Sequence, residues 1–158
     1  MTNLVKSEPT ELVKDDSRLF VVFRVDGVDY ALNASEVLQM ESFTGATTVP
    51  GTPPFVRGIL QLRGRVVPVV DLRLRFGLPP RESTLDSRVV VAESAGRAVA
   101  LLADSAREVV RIPTEAEKPP PVLASEGGFV RSIVQLPDRT ILVLDFGKVI
   151  GEETTTNV

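Results

Sequence analysis

Residues 55–72 read FVRGILQLRGRVVPVVDL, and residues 129–146 read FVRSIVQLPDRTILVLDF. The two stretches lie 74 positions apart, and nine of their 18 positions are identical without a gap. The shared pairs include Phe55/Phe129, Arg57/Arg131, Gln61/Gln135, Arg65/Arg139 and Asp71/Asp145, and Gly77/Gly151 falls on the same offset. Each stretch holds two β-branched, apolar runs around a short turn, Arg63-Gly64 in one and Pro137-Asp138 in the other, which reads as a hairpin. Each then reaches an Asp placed to cap a short helix, with a Gly beyond it as the stop.

The repeat extends outward. Residues 19–25 and 28–32 are strand-like runs around Asp26-Gly27, a favoured hairpin turn, and they align with 88–93 and 97–103 around Ala95-Gly96. Asn33-Ala34-Ser35-Glu36 reads as a capped turn, and Glu36-Val37-Leu38 matches Glu108-Val109-Val110 as the start of a further strand. Residues 44–54, 78–87 and 113–128 read as loops, the last with Pro119-Pro120-Pro121 as a spacer rather than a polyproline ligand. Pro68 lies within a strand and cannot donate to a ladder, which predicts an edge strand or a bulge.

Two copies of about five short strands each predict two small SH3-like β-barrels. A unit of about 65 residues is marginal alone, so the copies are expected to share an apolar seam by pseudo-twofold symmetry. The fold class is therefore all-β with short helical turns. The expected organisation is a disordered tail over 1–17, one domain over 18–150 with subdomains of about 18–80 and 85–150, and a second tail over 151–158.

Composition narrows the chemistry. The 158 residues include no His, no Cys and no Trp. Thiolate and imidazole catalysis, zinc and iron–sulfur sites and disulfides are thereby excluded. The net charge of −3 and an aromatic content of 5% offer nucleic acid neither an electrostatic match nor a stacking platform. No apolar run reaches the roughly 20 residues needed to span a bilayer, and the polar N-terminus lacks a signal-peptide core, so the expected location is the cytoplasm. Lys6, Lys14, Lys118 and Lys148 have no serine context for a Ser–Lys pair, and Asp71 and Asp145 are accounted for as helix caps. No catalytic residue, cofactor or metal is expected. A binding module that works through its surfaces is what remains.

The repeat also sorts residues. Those kept in both copies read as structural: Asp71 and Asp145 as caps, Arg65 and Arg139 as turn-exit charges, Phe55 and Phe129 as core. Those that differ are candidates for a task unique to one copy, and Arg63-Gly64 presents a long cation where the second copy has a plain Pro-Asp turn.

The run Gly58-Ile59-Leu60-Gln61-Leu62-Arg63-Gly64, followed by Val66-Val67-Pro68-Val69-Val70-Asp71-Leu72-Arg73, resembles the CheW family of coupling proteins of bacterial chemosensory arrays. Val49-Pro50, Pro53-Pro54 and Val56 fit the family's approach to that run, and Phe23 to Leu32, Val99 to Asp104 and Glu108-Val109-Val110 extend the match from about residue 18 to 150. The resemblance implies two intertwined five-stranded barrels. It implies a non-catalytic adaptor that bridges methyl-accepting chemoreceptor tips to the regulatory domain of the histidine kinase CheA. It further implies a monomer when alone, rings with the kinase, and a cytoplasmic protein recruited to membrane-associated receptor arrays. The family's receptor-facing positions fall on Arg63, Val37 and Gln39, and family glycines near the kinase surface fall on Gly58 and Gly64. Gln39 stands where the family often has Glu, and Gln61 where it usually has Asn. Two alternatives remain: a CheW-like paralogue of a gliding or pilus pathway with different or no direct receptor binding, and a Ser- or carboxylate-dependent hydrolase.

Overall fold

The computed structural model describes residues 17–122 and 127–151. In order they form β1 (Ser17–Val25), β2 (Val28–Asn33), a 3-10 turn (Ala34–Glu36), β3 (Val37–Ser42), β4 (Val56–Leu62), β5 (Arg65–Asp71) and α1 (Leu72–Arg75). There follow β6 (Arg88–Ser94), β7 (Arg97–Ala103), β8 (Ser105–Pro113), a second 3-10 turn (Thr114–Ala116), β9 (Glu117–Lys118), β10 (Val130–Leu136), β11 (Arg139–Leu144) and α2 (Phe146–Ile150). The expected tails 1–17 and 151–158 lie outside the described residues except at their inner ends. Ser17 already belongs to β1, opposite Pro113, and Gly151 is the left-handed cap of α2.

The turns follow from residue type. Asp26-Gly27, Arg63-Gly64 and Ala95-Gly96 each place two successive residues at positive φ, the type I′ geometry whose twist matches a hairpin. Pro137 cannot enter that region, and neither Pro137 nor Asp138 has a positive φ, so the fourth hairpin turns differently. The two caps form as the sequence predicts. The Asp71 carboxylate accepts from the Arg73 and Leu74 N–H groups, and that of Asp145 accepts from Lys148 N–H. Asn33 caps the first 3-10 turn by accepting from Ser35 N–H.

The strands make two sheets, in the orders β8-β1-β2-β11-β10-β9 and β3-β6-β7-β5-β4. The halves 18–80 and 85–150 are repeats in sequence, but neither sheet is built from one half. Each takes its first hairpin from one half and its remaining strands from the other. Each sheet joins the halves twice, by a parallel pairing (Val143 opposite Ala31 in one sheet, Val69 opposite Ala100 in the other) and by an antiparallel one (β1 with β8, and β3 with β6). The six-stranded sheet has one strand more than expected. The extra strand is the two-residue β9, which lies in the segment 113–128 that reads as loop and pairs Glu117 and Lys118 with β10.

Both faces of the central strands are covered, which explains their near-continuous apolar runs. Along the five-stranded sheet, Val67, Val69, Val89, Val91, Ala100 and Leu102 face one core. Their neighbours Val70, Val90, Val99 and Leu101 face the seam between the sheets, where they meet Phe23, Leu32, Leu144, Phe146 and Val149. A third core, around Phe20, Val22, Ile112 and Ile141, fills the six-stranded sheet. Phe55 and Phe129 are partly buried against the seam.

Pro68 is a correction. Its strand, β5, is internal, between β4 and β7, and the register shift of the hairpin falls on the β4 side between Val56 and Gly58. The ladder to β7 starts only at Val69, so β5 has a free flank at Pro68 and its missing N–H takes no bond from that ladder.

Candidate functional site

The first and second copies carry the same irregularity. β4 shifts register between Val56 and Gly58, and β10 shifts between Val130 and Ser132, 74 residues on. Each bulge leaves one arginine as the extra residue, Arg57 and Arg131. Arg57 donates to the buried Asp71 carboxylate at 2.7 Å, so one carboxylate caps α1 and anchors the bulge. In the second copy the charges of Arg131 and Asp145 both act on Glu36. Burial pushes the Glu36 carboxyl above its ordinary value, while the Arg131 guanidinium pulls it down. One Glu36 carboxylate oxygen is buried with no hydrogen-bond partner among the described residues.

Gly58 follows the Arg57 bulge, with φ of 144°. A Cβ built there would sit 2.1 Å from the Thr47 carbonyl oxygen. The loop after β3 therefore crosses β4 at this point, and Thr47 and Ile59 exchange two backbone hydrogen bonds at 2.8 and 3.0 Å. The second copy has Ser132 at the same place, donating to Glu117 on β9. Gly58 thus has a definite backbone task, a close approach that only glycine allows.

Arg63 stands at the tip of the β4–β5 hairpin, exposed, with φ of 51°. Among the described residues its side chain makes no ion pair or hydrogen bond. A non-glycine residue in the left-handed region carries strain, and among the described residues no hydrogen bond or ion pair of the side chain offsets it. Gly64 completes the turn, and nothing lies within 4 Å of where its Cβ would be. Around the tip, Gln61 is exposed, Val66 is 62% exposed, and Arg65 reaches Glu93 at 3.6 Å.

Val37 and Gln39 lie on β3, at the far end of the same sheet. The register of β3 on β6 shifts between them, and Leu38 is the displaced residue, half exposed. Gln39 donates its amide to the Glu41 carboxylate at 2.7 Å. Glu41 is two residues further along and on the same strand face. β3 and β4 are separated in the ladder by β6, β7 and β5, and the bridge from Thr47 to Ile59 draws the chain after β3 back onto β4. The five candidate positions therefore occupy two local features of one sheet, the edge-strand bulge (Val37, Gln39) and the hairpin (Gly58, Arg63, Gly64).

Leu38 and Val66 were not legible as surface residues. In sequence each belongs to an apolar strand run, and only the β3 bulge and the protruding hairpin tip turn them outward. Arg139, predicted to match Arg65 as a turn-exit charge, is much more enclosed. With Arg24 and Arg107 it converges on Asp29, which is 4% exposed, and it also pairs with Glu108.

Two less buried acids are similarly engaged. The Asp104 carboxylate receives Arg73, Arg81 and the Asp26 N–H, and Arg73 also holds the Asp26 carboxylate. Among the described residues no group of three acidic side chains is arranged to hold a metal ion, and no helix is long and apolar enough to cross a membrane. What the arrangement offers is two surface features carried by one sheet, one cationic and one apolar-polar.

The comparisons with known proteins agree with this architecture. The sequence matches the family described as CheW-like domain over residues 19–154. It is 30% identical over 155 residues to the chemotaxis protein CheW of Rhizobium meliloti (strain 1021), covering 97% of each chain. It is 31% identical to the chemotaxis protein CheW of Bacillus subtilis (strain 168) over 137 residues, 85% of this chain and 88% of that one. The crystal structure of the scaffolding protein TtCheW from Thermoanaerobacter tengcongensis superimposes with a TM-score of 0.77 at 32% identity, covering 81% of this chain and 88% of that one.

Proposed function

The chain belongs to the CheW family, and from that premise we propose that it is a non-catalytic adaptor joining the cytoplasmic tips of chemoreceptors to a CheA-type histidine kinase. The observation that carries this reading is Arg63, a cation held in a strained turn at the tip of a β-hairpin, with no partner among the described residues. The same φ occurs at Asp26 and Ala95, so what sets Arg63 apart is its exposed cation, unpaired among the described residues, and not the backbone alone. On this reading Arg63 meets the receptor, together with Val37 and Gln39 on β3, and Gly58 and Gly64 shape the hairpin on the kinase side.

Such a protein contributes coupling free energy rather than chemistry: it makes the affinity or activity of one partner depend on the other. The test is Arg63→His, read by co-sedimentation with a receptor cytoplasmic fragment and, separately, with the kinase. Receptor binding is expected to fall while kinase binding and the fold are kept. Equal loss of both would make Arg63 a structural residue. Intact binding to the kinase by a protein that never binds a receptor would place it instead among paralogues of another motility pathway.

A further inference from the structure

Almost every acid in a strand has an arginine against it. Asp29, Asp71, Glu93, Glu108 and Glu117 are each ion-paired, at distances up to 3.8 Å. Glu41 is the exception: among the described residues no cation pairs with it. It lies on the edge strand β3, opposite Val89 of β6, and Gln39 lies opposite Val91. Both valines are buried, so the neighbouring strand offers this part of β3 no polar partner. The Gln39 amide donates to Glu41 Oε2 at 2.7 Å. An amide is neutral, so this bond orients the carboxylate and leaves its charge uncompensated.

A charge on an edge strand discourages edge-to-edge pairing, but that task needs no particular orientation. Here the orientation is set, at the entropic cost of ordering two long side chains. An ordered, uncompensated carboxylate is pre-organised for a partner's cation, because the ordering is complete before the partner arrives. Its surroundings fit the same use. Leu38, the displaced residue of the β3 bulge, is half exposed beside it. Arg63, also without an ion pair among the described residues, stands on the β4–β5 hairpin of the same sheet. The sheet therefore carries two unmatched charges of opposite sign and an exposed apolar side chain.

We propose that Glu41, oriented by Gln39, is the acidic contact of the docking surface and pairs with a lysine or arginine of the bound partner. The partner segment presents the complementary pattern: a cation to Glu41, an apolar side chain to Leu38 and an acid to Arg63. Gln39 is then a positioning residue that acts through Glu41. The proposal rests on the reading of this face as the receptor-binding one, so the segment belongs to the receptor tip. The experiment titrates the full chain with a receptor cytoplasmic fragment at low and high salt, with kinase binding and thermal melting measured alongside.

Glu41→Gln is expected to weaken receptor binding at least about fivefold at about 50 mM salt, with the gap narrowing to about twofold at about 0.5 M. Glu41→Arg, which sets like charges against each other, is expected to weaken it at least about thirtyfold at the lower salt. In both variants kinase binding stays within about twofold and the melting temperature within about 2 °C, since no intramolecular ion pair is lost. Gln39→Leu is expected to cost about threefold alone and nothing further in the Glu41→Gln background. Receptor binding that Glu41→Gln leaves unchanged, or that Glu41→Arg strengthens, overturns the proposal. Equal loss of kinase and receptor binding also overturns it, because Glu41 would then be structural. A further loss from Gln39→Leu in the Glu41→Gln background makes Gln39 the contact and overturns its positioning role. A wild-type protein that binds no receptor fragment refutes the receptor reading and this contact with it, whereas wild-type binding indifferent to Glu41 overturns the contact alone.

Discussion

Replacing Arg63 by Asn should make the protein more stable and less functional at once. Arg63 holds φ of 51° at the first position of a two-residue turn. For an L-residue with a Cβ the left-handed region costs roughly 1–2 kcal/mol, and Asn is among the few side chains that visit it routinely. Asn-Gly is also the pair that type I′ turns favour most. The Arg63 side chain has no ion pair or hydrogen bond among the described residues, so truncation removes no intramolecular contact of that kind. The net expectation is a gain of about 0.5–1 kcal/mol, or about 1–4 °C in melting temperature for a domain of this size.

Ala95 supplies the control. It holds φ of 54° in the equivalent turn between β6 and β7, so Ala95→Asn should give a similar gain. The assay is urea denaturation with the slope unchanged, followed by receptor and kinase binding for each variant. Arg63→Asn is expected to weaken receptor binding, and Ala95→Asn to leave it alone. A loss of more than about 0.5 kcal/mol in Arg63→Asn would show that the arginine has a structural partner and would refute the strain argument.

Gly58→Ala is expected to cost at least 1–3 kcal/mol, roughly, because a Cβ would collide with the Thr47 carbonyl in an already left-handed backbone. Protease susceptibility of the loop 44–54 should rise with it. Asp71→Asn weakens both the cap of α1 and the Arg57 anchor of the bulge, and should lower stability by about 1–2 kcal/mol in denaturant. Asp145→Asn should cost less, since Asp145 has a cap bond to Lys148 and no hydrogen bond from Arg131. For Glu36 the folded state holds its proton more tightly than the unfolded chain does. Its contribution to stability therefore falls as pH rises from the ordinary glutamate value through the raised one. Glu36→Gln should remove that fall and be more stable than wild type near neutral pH, as read by thermal melts across pH.

The hairpins, caps and seam were legible because each is written locally. Asp-Gly and Ala-Gly set turns, Asp71 and Asp145 stand just ahead of short helical turns, and the 74-residue offset pairs the cores. The exchange of hairpins between the sheets was not visible in the residue pattern. A parallel joint such as Val69 with Ala100 depends on which of two chemically similar strands is nearer, and a repeat of similar strands leaves that choice open. Pro68 misled because edge status is a property of part of a strand, free before Val69 and covered after it.

At the candidate site, Arg63 was distinguishable by comparing the two turns. Leu38 was hidden, because only the bulge of β3 reorients it.

The most direct test of the adaptor account is sedimentation of the wild-type protein with a receptor cytoplasmic fragment and a CheA-type kinase, alone and together, with kinase activity measured in the pellet. The account predicts that the protein binds each partner separately, and that kinase in the three-component pellet responds to the receptor only when the protein is present. Failure to bind either partner, or kinase control that persists without it, would contradict the account.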